Sequence, residues 1–356
     1  MDWDVVFVDM LHAFRRSGGE RHGLVGRPPR TPPGRAPQDA ITGPARTGTG
    51  RTTFGRTPGN GSTHTGAMDR TSEISGFLHS RRANVSPEQA GLPSDGRVRR
   101  VPGLRRDEVA RLAGVSTEYY TRLEQGRARN PSTEVVDAVA RVLRLDETER
   151  EHLTDLLASG ARPARRAPAR AQRVRPGLHL MLETLNHVPA FILGRRTDVL
   201  ASNQLARAVL TDFDALPATH RNLARYYLLD PVARERVGDW ERIAAETVAI
   251  LRFEAGRYPH DRQLADLVGE LTLQCPEFTT WWNDHRVLRR THGAKHYHHP
   301  LVADLHFSYE SFQAPGDAEQ TLCVYNVEPG SETAEALQVL ASWTAPEREL
   351  PHHQGR

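Results

Sequence analysis

The stretch from Leu104 to Leu143 constrains the chain most, because spacing, residue type and charge there agree on one geometry. Within RDEVARLAGVSTEYYTRLEQG, residues 106–126, the apolar Val109, Ala113, Val115, Tyr120 and Leu123 fall on the facing sides of two short helices. The first ends near Ala113 and the second starts at Ser116. A steep helix crossing needs a small side chain, supplied by Ala110, and the turn needs a residue that tolerates positive φ, supplied by Gly114. Ser116 is suited to cap the second helix. Thr117, Glu118, Thr121 and Arg122 then stand on its outer side, where a recognition helix touches base edges in a major groove. Arginine reads guanine and glutamate accepts from cytosine N4, so these four are the base-contact candidates. Arg105, Arg106, Gln125, Arg127 and Arg129 flank them and are the phosphate candidates. Glu124 faces the helix start and is expected to be structural. Gly126 stops the helix, and Val135, Val136, Val139, Ala140 and Leu143 mark a third amphipathic helix. A purely structural bundle needs neither the polar outer face nor the arginines.

The charge distribution supports a partner that is double-stranded DNA. Formal charge is +4 over residues 1–67, +6 over 68–176 and −7 over 177–356, so a basic front precedes an acidic back. Residues 1–67, rich in Gly, Pro, Arg and Thr, have almost nothing to bury and are expected to be a disordered extension. Met68 opens a helix capped by Thr71 or Ser72, with Ile74, Phe77 and Leu78 inward, and is a plausible biological start. A turn-rich insert follows, with Ser94-Asp95-Gly96 as a candidate hairpin tip; Arg97, Arg99 and Arg100 there are either solvated charge or phosphate contacts, and the neighbouring helix-turn-helix favours phosphate. The helix from Glu147 to Ala158 completes a domain over residues 68–160, and the Pro/Ala/Arg segment 161–176 is a linker.

Beyond the linker the pattern changes to α+β, over residues 177–342 with a tail at 343–356. Residues 190–194 and 199–201 form a strand pair, and helices follow at 222–229, 240–255, 261–274 and 276–284. Segments 288–297, 301–312 and 320–327 form an antiparallel meander, and a helix at 332–340 closes it. The whole is expected to be one sheet covered on one face by helices. Cys275 and Cys323 form no CxxC, so a disulfide framework is not expected and a reducing cytoplasm is. No apolar run is long enough to span a bilayer, and the acidic start lacks the basic flank of a signal peptide.

The sequence lacks the parts of an enzyme: no Gly-x-Ser-x-Gly, no dinucleotide fingerprint, no metal dyad. The glycines at 55–61 lack the Gly-Lys-Ser/Thr ending of a phosphate loop. His292, His296, His298, His299 and His306 invite a metal reading, but no carboxylate or cysteine stands near them at ligand spacing, so neither metal nor cofactor is expected. Trp281, Trp282, Tyr309, Phe312 and Tyr325 are conspicuous in a domain otherwise poor in aromatics.

Residues 73–342 resemble the MmyB-like transcription regulators. The resemblance rests on PGLRRDEVARLAGVS (102–116), YYTRLEQGR (119–127), DVLA (198–201), RNL (221–223), LDP (229–231), GEL (269–271), SF (311–312) and YNVEPG (325–330). It implies an all-α helix-turn-helix domain of the XRE type followed by an α+β PAS-like domain that binds a small, lipid-like molecule. One departure stands out: the family often has Trp before the Asn at position 203, where this chain has Ser202. The combined expectation is a cytoplasmic, homodimeric, DNA-binding regulator with no membrane partner, whose second domain senses a small apolar ligand. Phe191, Leu193, Trp281, Tyr309, Phe312 and Tyr325 are the pocket candidates. The rival reading is a second domain that serves only dimerisation or protein interaction.

Overall fold

The structure is a computed structural model, and it describes residues 70–93, 103–128, 130–158, 172–314 and 316–344. The extension at 1–67, the tip at 94–96, Arg97, Arg99, Arg100 and Arg129 lie outside these residues, as does most of the linker.

Five helices build the front domain: α1 (Arg70–Asn84), α2 (Arg106–Leu112), α3 (Thr117–Glu124), α4 (Thr133–Val142) and α5 (Glu147–Leu157). The α1 helix already includes Arg70, ahead of the expected caps Thr71 and Ser72. Ile74, Phe77, Leu78, Val109, Tyr120, Leu123, Val139 and Leu153 form one buried cluster. Between α2 and α3, Gly114 takes φ +70°, the left-handed turn that a residue without Cβ adopts at least cost. The Ser116 hydroxyl accepts from the Tyr119 N–H at 3.1 Å and starts α3.

The back domain runs α6 (Pro176–Thr184), β1 (Ala190–Leu193), β2 (Val199–Ser202), α7 (Gln204–Val209), α8 (Leu223–Leu229), α9 (Pro231–Arg236), α10 (Trp240–Arg257), α11 (Arg262–Gln274), α12 (Phe278–Asn283), β3 (His292–His299), β4 (Ala303–Ala314), β5 (Asp317–Asn326) and α13 (Glu332–Thr344). Its antiparallel sheet has the order β2-β1-β5-β4-β3. Strand alternation splits β1 between two cores. Phe191 and Leu193 join the large cluster under the helices, whereas Ala190 and Ile192 join Leu182, Ala201, Leu322 and Val324 on the opposite face. The expectation of a sheet covered on one face is therefore corrected: α6 covers the other face at its β1 end. The strand expected from 288 begins at His292.

Several resemblance motifs turn out to be joints. The Asn203 carboxamide accepts from the N–H groups of Ala190 (3.1 Å) and Ala206 (2.9 Å) and donates to the Leu185 and Val188 carbonyls. Asn222 accepts from the Ala224 and Arg225 N–H groups and donates to Asp198 and to the Arg196 carbonyl. Each asparagine caps a helix and ties it to a neighbouring loop, satisfying backbone groups that would otherwise be buried unpaired.

Candidate functional site

The candidate reading face stands on α3. Thr117, Glu118 and Arg122 are exposed, and Thr121 is half-buried with its hydroxyl bonded to the Thr117 carbonyl at 2.7 Å. The Arg122 guanidinium lies 6.0 Å from the Tyr119 ring centre, on the same outward surface. Arg105 and Arg127 are exposed, and Gln125 is half-buried.

Arg106 is committed differently from the other flanking residues. Its guanidinium donates two bonds, at 2.9 and 3.1 Å, to Glu124, which Arg82 also grips at 2.9 and 3.1 Å. The Glu124 side chain is only 1% exposed. Burial alone would raise its carboxyl, but Arg82 and then Arg106 outweigh burial and hold it below the usual range. Because α3 is clamped from its inner side, its outer face is presented in a fixed orientation.

The two domains share a seam that sequence spacing does not reveal. Phe253 and Val287, from the back domain, are buried in the front domain's core. Arg252 on α10 pairs with Glu73 on α1 and donates to the Trp282 carbonyl, while His285 Nδ1 lies 2.9 Å from its guanidinium. Arg81 donates to the His285 carbonyl at 2.7 Å, and Arg289 pairs with Glu151 at 3.0 Å. The His152 ring sits 5.1 Å from Phe77 and 6.2 Å from Phe253. A Cβ at position 256 would come within 2.4 Å of that ring, so the close approach of α10 to α5 needs Gly256. Burial, then Arg252, pushes His152 down to about 3, so it is a neutral packing residue. Glu73 and Arg252 are 179 residues apart, and no local pattern marks such a pair.

In the back domain the expected pocket residues meet a filled core. Phe191, Leu193, Tyr309 and Tyr325 are buried together, and Trp281 packs against them from the edge. The Phe191 and Tyr325 rings lie 5.4 Å apart, and the hydroxyls of Tyr227, Tyr297 and Tyr325 form a triangle with sides of 2.8, 3.0 and 3.4 Å. Bulky aromatic side chains thus occupy the centre. Phe312 is a correction of another kind: it is 56% exposed and pairs with Leu322 on the opposite sheet face. Residues 309 and 312 are an odd number apart on one strand, which puts their side chains on opposite faces.

Among the described residues, two concavities lie in the back domain. A cleft of about 60 Å³ between α10 and the sheet is lined by Leu193, Ile250, Phe253, Leu288, Glu254 and Arg290 among others. A larger space of about 660 Å³ lies between α6, β2 and α7, with Leu182, Leu200, Ala201, Leu205 and Ala341 as its apolar wall. Ser202 also lines it, and its buried hydroxyl has no hydrogen-bond partner.

A helix-turn-helix domain matches residues 73–153, and the MmyB-like transcription regulator ligand binding domain matches residues 174–340. The chain carries the domain pair of the MmyB-like transcription regulators. No curated protein matches it. The helix-turn-helix match covers α1–α4 and the clamp on Glu124, and the MmyB-like domain match covers the sheet with both concavities. This MmyB-like regulator is accordingly a DNA-binding protein with a ligand-binding domain. No described helix is long and apolar enough to cross a membrane.

Proposed function

We propose that this regulator reads an operator with Thr117, Glu118, Thr121 and Arg122, and that a small apolar ligand in the MmyB-like domain modulates that reading. Arg105, Arg106, Gln125, Arg127 and Arg129 anchor it to phosphates, Arg106 doing so with the part of its guanidinium that Glu124 leaves free. The observation that carries the ligand reading is the 660 Å³ space, which is of the size that small-molecule sites have. Its wall combines an apolar strip, Leu182, Leu200, Ala201, Leu205 and Ala341, with polar residues such as His179, Asn186 and Arg207, and the partnerless Ser202 hydroxyl offers a buried polar anchor. A tryptophan at position 202, common in the family, would project into this space and narrow it; serine leaves it wider. One wall is α6, the first helix after the linker, so occupancy acts on the element that joins the two domains.

The test is a melting series of the full chain with straight-chain carboxylic acids and the matching alcohols, run alongside Ser202→Trp. A ligand at a hundred times its dissociation constant adds about 2.7 kcal/mol to the folded state, and the tryptophan variant should lose that gain while keeping its ligand-free melt. Operator affinity measured in the same titration should shift with the melt. An unchanged ligand response in Ser202→Trp removes this space from the reading. The rival, a domain for association only, is favoured by Leu180 and Met181 on α6, which are 63% and 49% exposed. It predicts a concentration-dependent dimer by light scattering and no melt shift with any member of the series.

A further inference from the structure

Four polar side chains form a square on the solvent face of the β3–β4 hairpin. His296 stands directly opposite His306, and His298 directly opposite Asp304. Alternation puts Lys295, Tyr297 and His299 into the core and leaves His296 and His298 on the other face, with Asp304 and His306 beside them. The His296 carbonyl accepts from the Gly238 N–H at 2.9 Å, and the His306 N–H donates to the Thr333 hydroxyl at 3.0 Å. Their outer backbone groups are thus used elsewhere, which makes this a non-hydrogen-bonded cross-strand pair, the kind whose side chains approach most closely. The two imidazoles accordingly stack at 4.1 Å, tilted by 14°.

We propose that His296, Asp304 and His306 bind a divalent first-row transition metal, with Zn²⁺ the ion that this donor set suits. One ligand atom from each lies within 4.8 Å of the other two. Two imidazoles and a carboxylate with an open fourth position are a recurrent zinc set, whose ligand atoms in tetrahedral geometry stand roughly 3.4 Å apart. His296 Nε2 is already 3.6 Å from the Asp304 Oδ1 atom, is shielded from solvent, and has no hydrogen-bond partner. Rotation about side-chain bonds closes the remaining distance without moving the strands. His298 is a positioning residue: its Nδ1 lies 2.6 Å from the same Asp304 oxygen and holds the carboxylate toward the imidazoles. The expectation that no carboxylate stands near these histidines fails because Asp304 stands two residues before His306 on β4 and reaches His296 and His298 across the hairpin.

The test titrates the untagged full chain with Zn²⁺ by calorimetry and, separately, with Co²⁺ by visible absorption. One equivalent of Zn²⁺ should bind, with the intense visible bands of four-coordinate Co²⁺. Both should vanish in the double variant His296→Ala/His306→Ala and in the near-isosteric Asp304→Asn, while the metal-free melts stay close to the wild type because Asp304 and His306 are exposed and His296 is only half-buried. His298→Ala should weaken binding about 10–100-fold without removing it. Wild-type and double-variant titrations that superimpose, or only the weak absorption of six-coordinate Co²⁺, would overturn the proposal.

Discussion

In the helix-turn-helix domain the buried carboxylate of Glu124 meets two guanidiniums at 2.9 Å, whereas two charges in the MmyB-like domain, Lys295 and Glu254, meet opposite charges only at 3.9 Å. Lys295, with its side chain 4% exposed, is 3.9 Å from Glu246, and Glu254 is 3.9 Å from Arg257. Arg290, on the wall of the smaller cleft, has no hydrogen bond or ion pair to any described residue, and its Nε is buried. At hydrogen-bonding distance, charge-assisted bonds offset the cost of desolvation; a full ångström further out they do not. The protonation states follow. Burial, then Arg290, pushes Lys295 down to about 7, and burial pushes Glu254 up to about 7 against Arg257, Arg195 and Arg289. The first domain uses buried charge to fix the orientation of a helix. The second holds Lys295 and Glu254 near neutrality, where a bound molecule or a change of pH alters them readily.

The comparison breaks most visibly at Glu124. Replacing it with alanine leaves Arg82, whose side chain is 6% exposed, without its counter-charge, and should cost about 3–5 kcal/mol in urea denaturation of the full chain. A cost under about 1 kcal/mol would mean that the clamp on α3 contributes little beyond a surface ion pair. Phe253→Ala sharpens the contrast from the other side of the seam. Removing this ring should cost about 3–5 kcal/mol, and because Phe253 is part of the front core, amide exchange in α5 should speed up although the substitution is on α10.

The pH dependence should then have opposite limbs. Glu254, raised from an ordinary 4.5 to about 7, stabilises the fold most below 4.5, and stability falls as pH rises toward 7. Lys295, depressed from 10.5 to about 7, contributes fully only above 10.5, so stability rises again between 7 and 10.5. Each limb has a slope of at most about 1.4 kcal/mol per pH unit. Glu254→Gln should flatten the acid limb and Lys295→Met the alkaline one. Glu124, held low, has the opposite sign to Glu254: its contribution is lost as pH falls through its depressed value. A wild-type profile with no minimum near neutrality would remove the distinction between the domains.

The smallest effects belong to the reading face, which should barely touch stability. Arg122→Ala should cost roughly 1–3 kcal/mol against the preferred base at one operator position and relax preference there. Arg127→Ala should instead weaken all sequences about equally and lower the salt slope by about 1. Binding to a panel of single-base operator variants separates the two.

Much of this architecture is legible in the sequence alone. The turn at Gly114, the cap at Ser116 and the inward Val109, Tyr120 and Leu123 follow from helical period and backbone chemistry, which act over a few residues. The structural role expected of Glu124 is seen in its two arginine partners. Even the misplacement of Phe312 was readable, since its odd spacing from Tyr309 fixes opposite faces on one strand. The filled centre of the MmyB-like domain was not. Aromatic residues in one core look alike in sequence whether they line a cavity or close it, and only the tyrosine triangle across α8, β3 and β5 shows that they close it.

By itself, then, the sequence determined what depends on period, capping and composition: two domains in order, a helix-turn-helix with its outward residues, and an α+β sheet with the strands in their places along the chain. Tertiary structure alone decided the pairings between distant segments. Glu73 meets Arg252, Phe253 enters the front core, and Arg289 meets Glu151. The physical reason is range: local rules fix which way a side chain points along its own helix or strand, while its partner is set by how whole elements pack, and packing carries no signature in the spacing of residues.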